Sequence, residues 1–153
     1  MKRSLFALLL AIASLIAVSP NAAVAASSSS QRPSRCDVVA ITSLGFHPRH
    51  VAPGGHSTIR VVARNCTRQP QNITVTWLGQ FVGSGVGIPP GCPAIDPLAQ
   101  GANFKPRGTF RGHLEFVVFS SCTATALSET VRFTGADGTV LAEKTVELRI
   151  RSS

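Results

Sequence analysis

The sequence predicts an all-β fold: one antiparallel sandwich of six or seven strands, closed by two disulfides, over residues 36–151. Three observations carry this. Short runs of alternating apolar and polar residues recur through the span, as half-buried strands require, because successive side chains point to opposite faces. Gly- and Pro-containing turn signals separate the runs, and none of them keeps the 3.6-residue period of a helix for long. Four cysteines, Cys36, Cys66, Cys92 and Cys122, all fall in the same span.

The chain before residue 36 reads differently. Lys2 and Arg3 precede an apolar run of about 14 residues, too short for the ~20 that a membrane span needs. Ala23-Val24-Ala25 follows as a small-residue cleavage pattern, so residues 1–25 are expected to be an export signal. Residues 26–35 hold four consecutive serines and little to bury, and are expected to be a disordered leader. The expected location is therefore outside the cell, with no membrane span.

From Cys36 the elements follow in order. Residues 38–42 are β-branched and apolar. Residues 48–55, with two prolines and two glycines, form a turn region. In residues 57–64, Ile59, Val61 and Ala63 share one face and Arg60 and Arg64 the other. Residues 72–78 alternate cleanly, with Ile73, Val75 and Trp77 facing inward. Residues 109–119 place Leu114, Phe116 and Val118 together. Residues 124–130 allow a helical turn at most. Val131 and Phe133 open the last hairpin, Asp137-Gly138 is its turn pair, and Val146, Leu148 and Ile150 face inward after it. The expected core is Val61, Val75, Trp77, Phe116, Val131, Phe133 and Leu148. Residues 79–108, dense in Gly and Pro, read as one long loop with room for a hidden seventh strand before Phe104.

Four cysteines allow three pairings. A first hairpin turning near Val51 would set Cys36 opposite Cys66, at its open end. The expected bridges are Cys36–Cys66 and Cys92–Cys122. Such bridges suit an oxidising compartment. No Cys-x-x-Cys occurs, which argues against a redox motif or zinc knuckle.

The whole chain carries a formal net charge of +8. The basic residues are scattered rather than gathered in a run, so no nucleic-acid arm is expected. Outside a cell such a surface serves solubility, or else takes an anionic wall polymer or phospholipid head group as its partner. His47, His50 and His56 cluster around the first turn, but no carboxylate or thiol joins them in the sequence, and no metal site is expected. His113 and Asp96 lack a serine in a nucleophile elbow. Asp96 and Glu115 have no pattern that marks a glycosidase pair. The sequence offers no cofactor-binding pattern, and the protein is expected not to be an enzyme.

Two resemblances sharpen the reading. Phe46-His47-Pro48-Arg49-His50-Val51-Ala52-Pro53-Gly54-Gly55, followed by Ile59, Val61, Val62, Arg64 and Asn65, resembles the opening hairpin of bacterial extracellular immunoglobulin-like domains, the cell-adhesion-related domain in bacteria above all. There a Pro-Gly-Gly turn joins the first two strands and Asn closes the second. The resemblance covers the two ends of the domain. It implies an immunoglobulin-like sandwich with a binding or scaffolding role. Cys92-Pro93-Ala94-Ile95-Asp96-Pro97 is similar to the reactive loop of the Streptomyces subtilisin inhibitor family, although it is one residue shorter between Cys-Pro and Asp-Pro. The spacing of Cys92 and Cys122 suits that family's second disulfide.

The expected function is that of a secreted, non-catalytic binding or structural module, contacting an unidentified protein or a cell-wall polymer through the loop 79–108. Phe81, Ala94, Ile95 and Phe104 are the expected contact residues. The alternative is a secreted serine-protease inhibitor that offers Ala94 from the segment 92–97.

Overall fold

The computed structural model describes residues 36–151, and these form two packed β-sheets with no helix among them. The export signal and the Ser-rich leader lie outside the described residues. One sheet has three strands, in the order β1 (Val39–His47), β3 (His56–Asn65), β6 (Thr109–Val117). The other has five, in the order β2 (His50–Val51), β8 (Val140–Ile150), β7 (Ala126–Gly135), β4 (Gln71–Val82), β5 (Leu98–Phe104). The all-β sandwich with two disulfides is thus as expected, with eight strands rather than six or seven. One pairing is not antiparallel: β2 runs parallel to β8 through His50 and Val51. The segment expected as a helical turn is strand from Ala126 onward, because its Leu127 and Glu129 continue the inward phase of Val131 and Phe133.

The core follows from period-two patterning. Ile59, Val61 and Ala63 of β3 face Ile73, Val75, Trp77 and Phe81 of β4 and Leu127, Val131 and Phe133 of β7. Leu148 and Ile150 close it from β8. Of the expected core, only Phe116 stays half-buried, at the rim, edge-on to Phe46 with ring centroids 5.9 Å apart. Phe104, Phe110 and Phe133 stack at the opposite end of the core, with centroids about 6 Å apart.

The first hairpin turns near residue 52, not Val51. Val39 pairs with Asn65, and a bulge between Ile41 and Ser43 shifts the register so that Phe46 pairs with Ile59. Gly54, at φ +84°, makes the tight turn that the Pro-Gly-Gly run signals. Its N–H donates to the Val118 carbonyl at 2.7 Å, which ties this turn to the end of β6. Both expected bridges are present, Cys36–Cys66 and Cys92–Cys122. The first closes the hairpin just beyond the paired strands, across 5.9 Å between Cα atoms. Beside it, the fully buried Asn65 saturates its side chain: its Nδ2 donates to the carbonyls of Gln69 (2.8 Å) and Lys105 (3.1 Å), and its Oδ1 accepts from the N–H (2.9 Å) and hydroxyl (2.8 Å) of Thr67. One side chain thereby orders two loops. The Asp137-Gly138 turn forms as expected, with Asp137 accepting from the Thr139 N–H at 3.0 Å and hydroxyl at 2.9 Å. Those bonds hold its carboxyl below the usual range.

Candidate functional site

The expected 79–108 loop is shorter than its composition suggests. Residues 79–82 finish β4, and residues 98–104 form β5 on the sheet edge, paired from Gln71–Phe104 to Trp77–Leu98. The true connection is residues 83–97. Two of the four expected contact residues are corrected with it. Phe81 is 4% and Phe104 2% exposed, both in the core. Phe81 keeps the inward phase of Val75 and Trp77 because β4 runs on through Gly79, and Phe104 ends β5 over the aromatic stack. Ala94 is exposed, as expected. Ile95 is half-buried and packs against the core.

The connection has two unlike halves. Residues 89–92 are stapled to the β6–β7 turn. The Thr123 N–H and hydroxyl both donate to the Pro90 carbonyl, at 3.0 and 3.1 Å, and the Ser121 hydroxyl donates to the Gly91 carbonyl at 3.1 Å. Cys92–Cys122 bolts the two segments together. Only glycine fits position 91: its φ is +71°, and a Cβ there would stand 2.0 Å from the Ser121 carbonyl oxygen. Thr125 holds the loop's root, its N–H donating to the Val82 carbonyl at 2.8 Å. Residues 84–88 arch outward instead, and among the described residues their backbone makes no hydrogen bond.

That arch carries apolar side chains into solvent. Val86 is fully exposed and Ile88 58% exposed, while Phe119 on the adjoining β6–β7 turn is 50% exposed. Val82 and Val117, at the ends of β4 and β6 on the same pole, are also exposed. These residues were not singled out by the sequence. Gly and Pro content located the loop, but only the fold shows which of its apolar residues find no interior.

Beneath the second half of the connection lies an unexpected group. Glu129 is fully buried on the inner face of β7, directly across from Gly79. A Cβ on Gly79 would stand 2.6 Å from Glu129 Oε2 and 3.0 Å from Ile95 Cγ2, so the glycine makes room for both. Neither carboxylate oxygen has a hydrogen-bond partner, nor does the nearby Trp77 Nε1. Burial pushes the Glu129 pKa from the usual 4.5 up to about 7. The Leu78 backbone opposes this only in part, its contact falling short of a proper hydrogen bond.

The groups weighed for chemistry stay apart. His47, His50, His56 and His113 are all exposed, and no three His, Cys, Asp or Glu side chains gather as metal ligands among the described residues. His113 and Glu115 lie on the outer face of the three-stranded sheet, whereas Asp96 precedes the edge strand of the other sheet. No helix among the described residues is long and apolar enough to cross a membrane.

No protein-family model matches the chain, and no curated protein matches it. Solved structures do. The chain is similar to the alkylpurine DNA glycosylase AlkC of Pseudomonas fluorescens, bound to DNA containing an abasic site analog, at a TM-score of 0.53 and 16% identity. That match covers 74% of this chain and 30% of the glycosylase. It is also similar to a Niemann-Pick type C2 protein from Japanese carpenter ant (TM-score 0.46, 12% identity, 77% of this chain and 96% of that one). A cycloisomaltooligosaccharide glucanotransferase from Paenibacillus matches at a TM-score of 0.48 and 14% identity, over 74% of this chain and 14% of its own. At such identities the first match supports the sandwich fold and says nothing of activity.

Proposed function

We propose that the chain is a secreted, non-catalytic module that binds a partner protein through the pole built by residues 83–97 and the β6–β7 turn. One observation carries this: Val86 and Ile88 stand exposed on an arch beside the exposed Phe119, and a disulfide and five hydrogen bonds fix the residues that flank the arch to the β6–β7 turn. Burying one such side chain is worth roughly 1.5–3 kcal/mol. A rigid support lowers the ordering cost of using that surface. Loops on a rigid scaffold are also where binding residues concentrate. The two disulfides agree with an exported protein, and the apolar start of the sequence supplies the signal for it.

The test uses the processed chain with a photo-crosslinking residue at position 84, added to the producing cells' culture medium. A specific adduct is expected, lost in V86D/I88D and in F119D while far-UV spectra and melting temperatures stay unchanged. Equal capture by these folded variants would place the contact elsewhere. A second reading rests on Ala94. It is exposed between Cys92, which is bridged to Cys122, and Ile95, which is seated against the core. A protease inhibitor would present its cleavage site this way. Under that reading, stoichiometric inhibition of subtilisin is expected and lost on A94P; no inhibition excludes it.

A further inference from the structure

The outer face of the three-stranded sheet is chemically distinct from the apolar pole. Along β3 the outward positions are Thr58, Arg60, Val62 and Arg64; β6 sets Glu115, His113, Arg111 and Thr109 opposite them in that order. Arg111, opposite Val62, therefore lies between Arg60 and Arg64 on the neighbouring strand. Diagonal neighbours in a sheet are ~7–8 Å apart. The three guanidinium groups thus form a zigzag row, all exposed, and among the described residues none makes an ion pair. Arg60 and Arg111 line an open trough of about 400 Å³ that they share with Thr58, His113 and Glu115. On the β1 side the trough has a low wall, since Gly45 pairs with Arg60 and Ser43 with Val62.

Further basic residues lie on the loops just past the Arg64 end of the sheet. Arg68, Lys105 and Arg107 are exposed on the two loops that Asn65 ties together, and the Arg107 N–H donates to the Thr67 carbonyl at 3.0 Å. Glu115 is the acid on the sheet face, at the far end of the row.

We propose that this row binds a linear polyanion whose charges are phosphodiesters joining small polyols. Guanidinium groups recognise phosphate oxygens in bidentate fashion, and a row of them suits a repeating charge better than a single anion. The outward positions of β3 and β6 include no Phe, Trp or Tyr. A single-stranded nucleic acid would need such rings for its bases to stack on. A polyol phosphate needs only the charges and an open trough.

The experiment titrates the processed chain into synthetic poly(glycerol phosphate) by calorimetry. Dextran, an oligothymidylate of equal charge and phosphatidylglycerol vesicles are the parallel arms. Binding to the polymer is expected, with a log–log salt slope of roughly −2 for three phosphate contacts. R60E/R111E is expected to weaken it at least tenfold and R60Q/R111Q by less, both at unchanged melting temperature, while V86D/I88D leaves it intact. Three results overturn the proposal: no binding to the polymer, equal binding by the folded R60Q/R111Q variant, or tighter binding to the oligothymidylate or the vesicles. A loss on V86D/I88D alone would instead bring polymer binding to the apolar pole and overturn the placement.

Discussion

Replacing Glu129 with Met is expected to stabilise the fold by about 3 kcal/mol more near pH 8 than near pH 4. Glu129 is fully buried without a hydrogen-bond partner, and burial raises its pKa from 4.5 to about 7. The sign follows from proton counting. Between those two values the folded chain holds a proton that the unfolded chain has released. Stability from this group is therefore complete below about pH 4.5 and declines until the pH passes about 7. A shift of this size corresponds to about 3 kcal/mol at 1.36 kcal/mol per pH unit. The groups around the carboxylate are Gly79 and Ile95, with Val146 across on β8 and the exposed Lys144 diagonal to it. Met fills a similar volume without a charge. Gln should also flatten the pH dependence but gain less, because its amide would remain buried without partners. Urea unfolding of wild type and variant across this range is the measurement. A stability difference that does not change with pH would refute a buried ionisable group.

This site also shows why part of the molecule was illegible in the sequence. The strands around Ile59-Val61-Ala63 and Ile73-Val75-Trp77 declare themselves by alternation, because one face of each is buried along its whole length. Gly79 broke that pattern and read as the end of a strand. In the fold it is required mid-strand, since any side chain there would occupy the space of the Glu129 carboxylate and Ile95. With β4 cut short at Gly79, Phe81 looked like a loop residue. The edge strand β5 gave no signal for a different reason: of its seven residues only Phe104 is buried, so no apolar period exists to be read. The two-residue β2 exists only through its pairing with β8, which is remote in sequence. The loop's location is legible from Gly and Pro, and Ala94, one of the expected contact residues, is exposed on it. The exposure of Val86, Ile88 and Phe119 is not legible, because apolar character alone does not distinguish a residue that finds the core from one that does not.

The two disulfides should cost similar stability when removed but differ sharply in their effect on binding. Each closes a sequence separation of 30, worth roughly 3–4 kcal/mol in the chain-entropy model. Replacing either pair by Ala is expected to lower the unfolding free energy by about that amount in urea titrations. Their positions are opposite, however. Cys36–Cys66 closes the first hairpin beside Asn65 and the loop that carries Arg68. Cys92–Cys122 fastens residues 83–97 to the β6–β7 turn, where Phe119 sits. Without it, that attachment rests on the Pro90 and Gly91 carbonyls and their partners on residues 121–123, each such bond worth about 1 kcal/mol. The arch bearing Val86 and Ile88 should then lose its fixed placement against Phe119. At a temperature where both variants remain folded, C92A/C122A is expected to lose most of the crosslinked adduct formed at the apolar pole. C36A/C66A should retain it. Equal capture by both would mean that the pole's shape does not depend on its bridge, and that the partner recognises a surface away from residues 83–97.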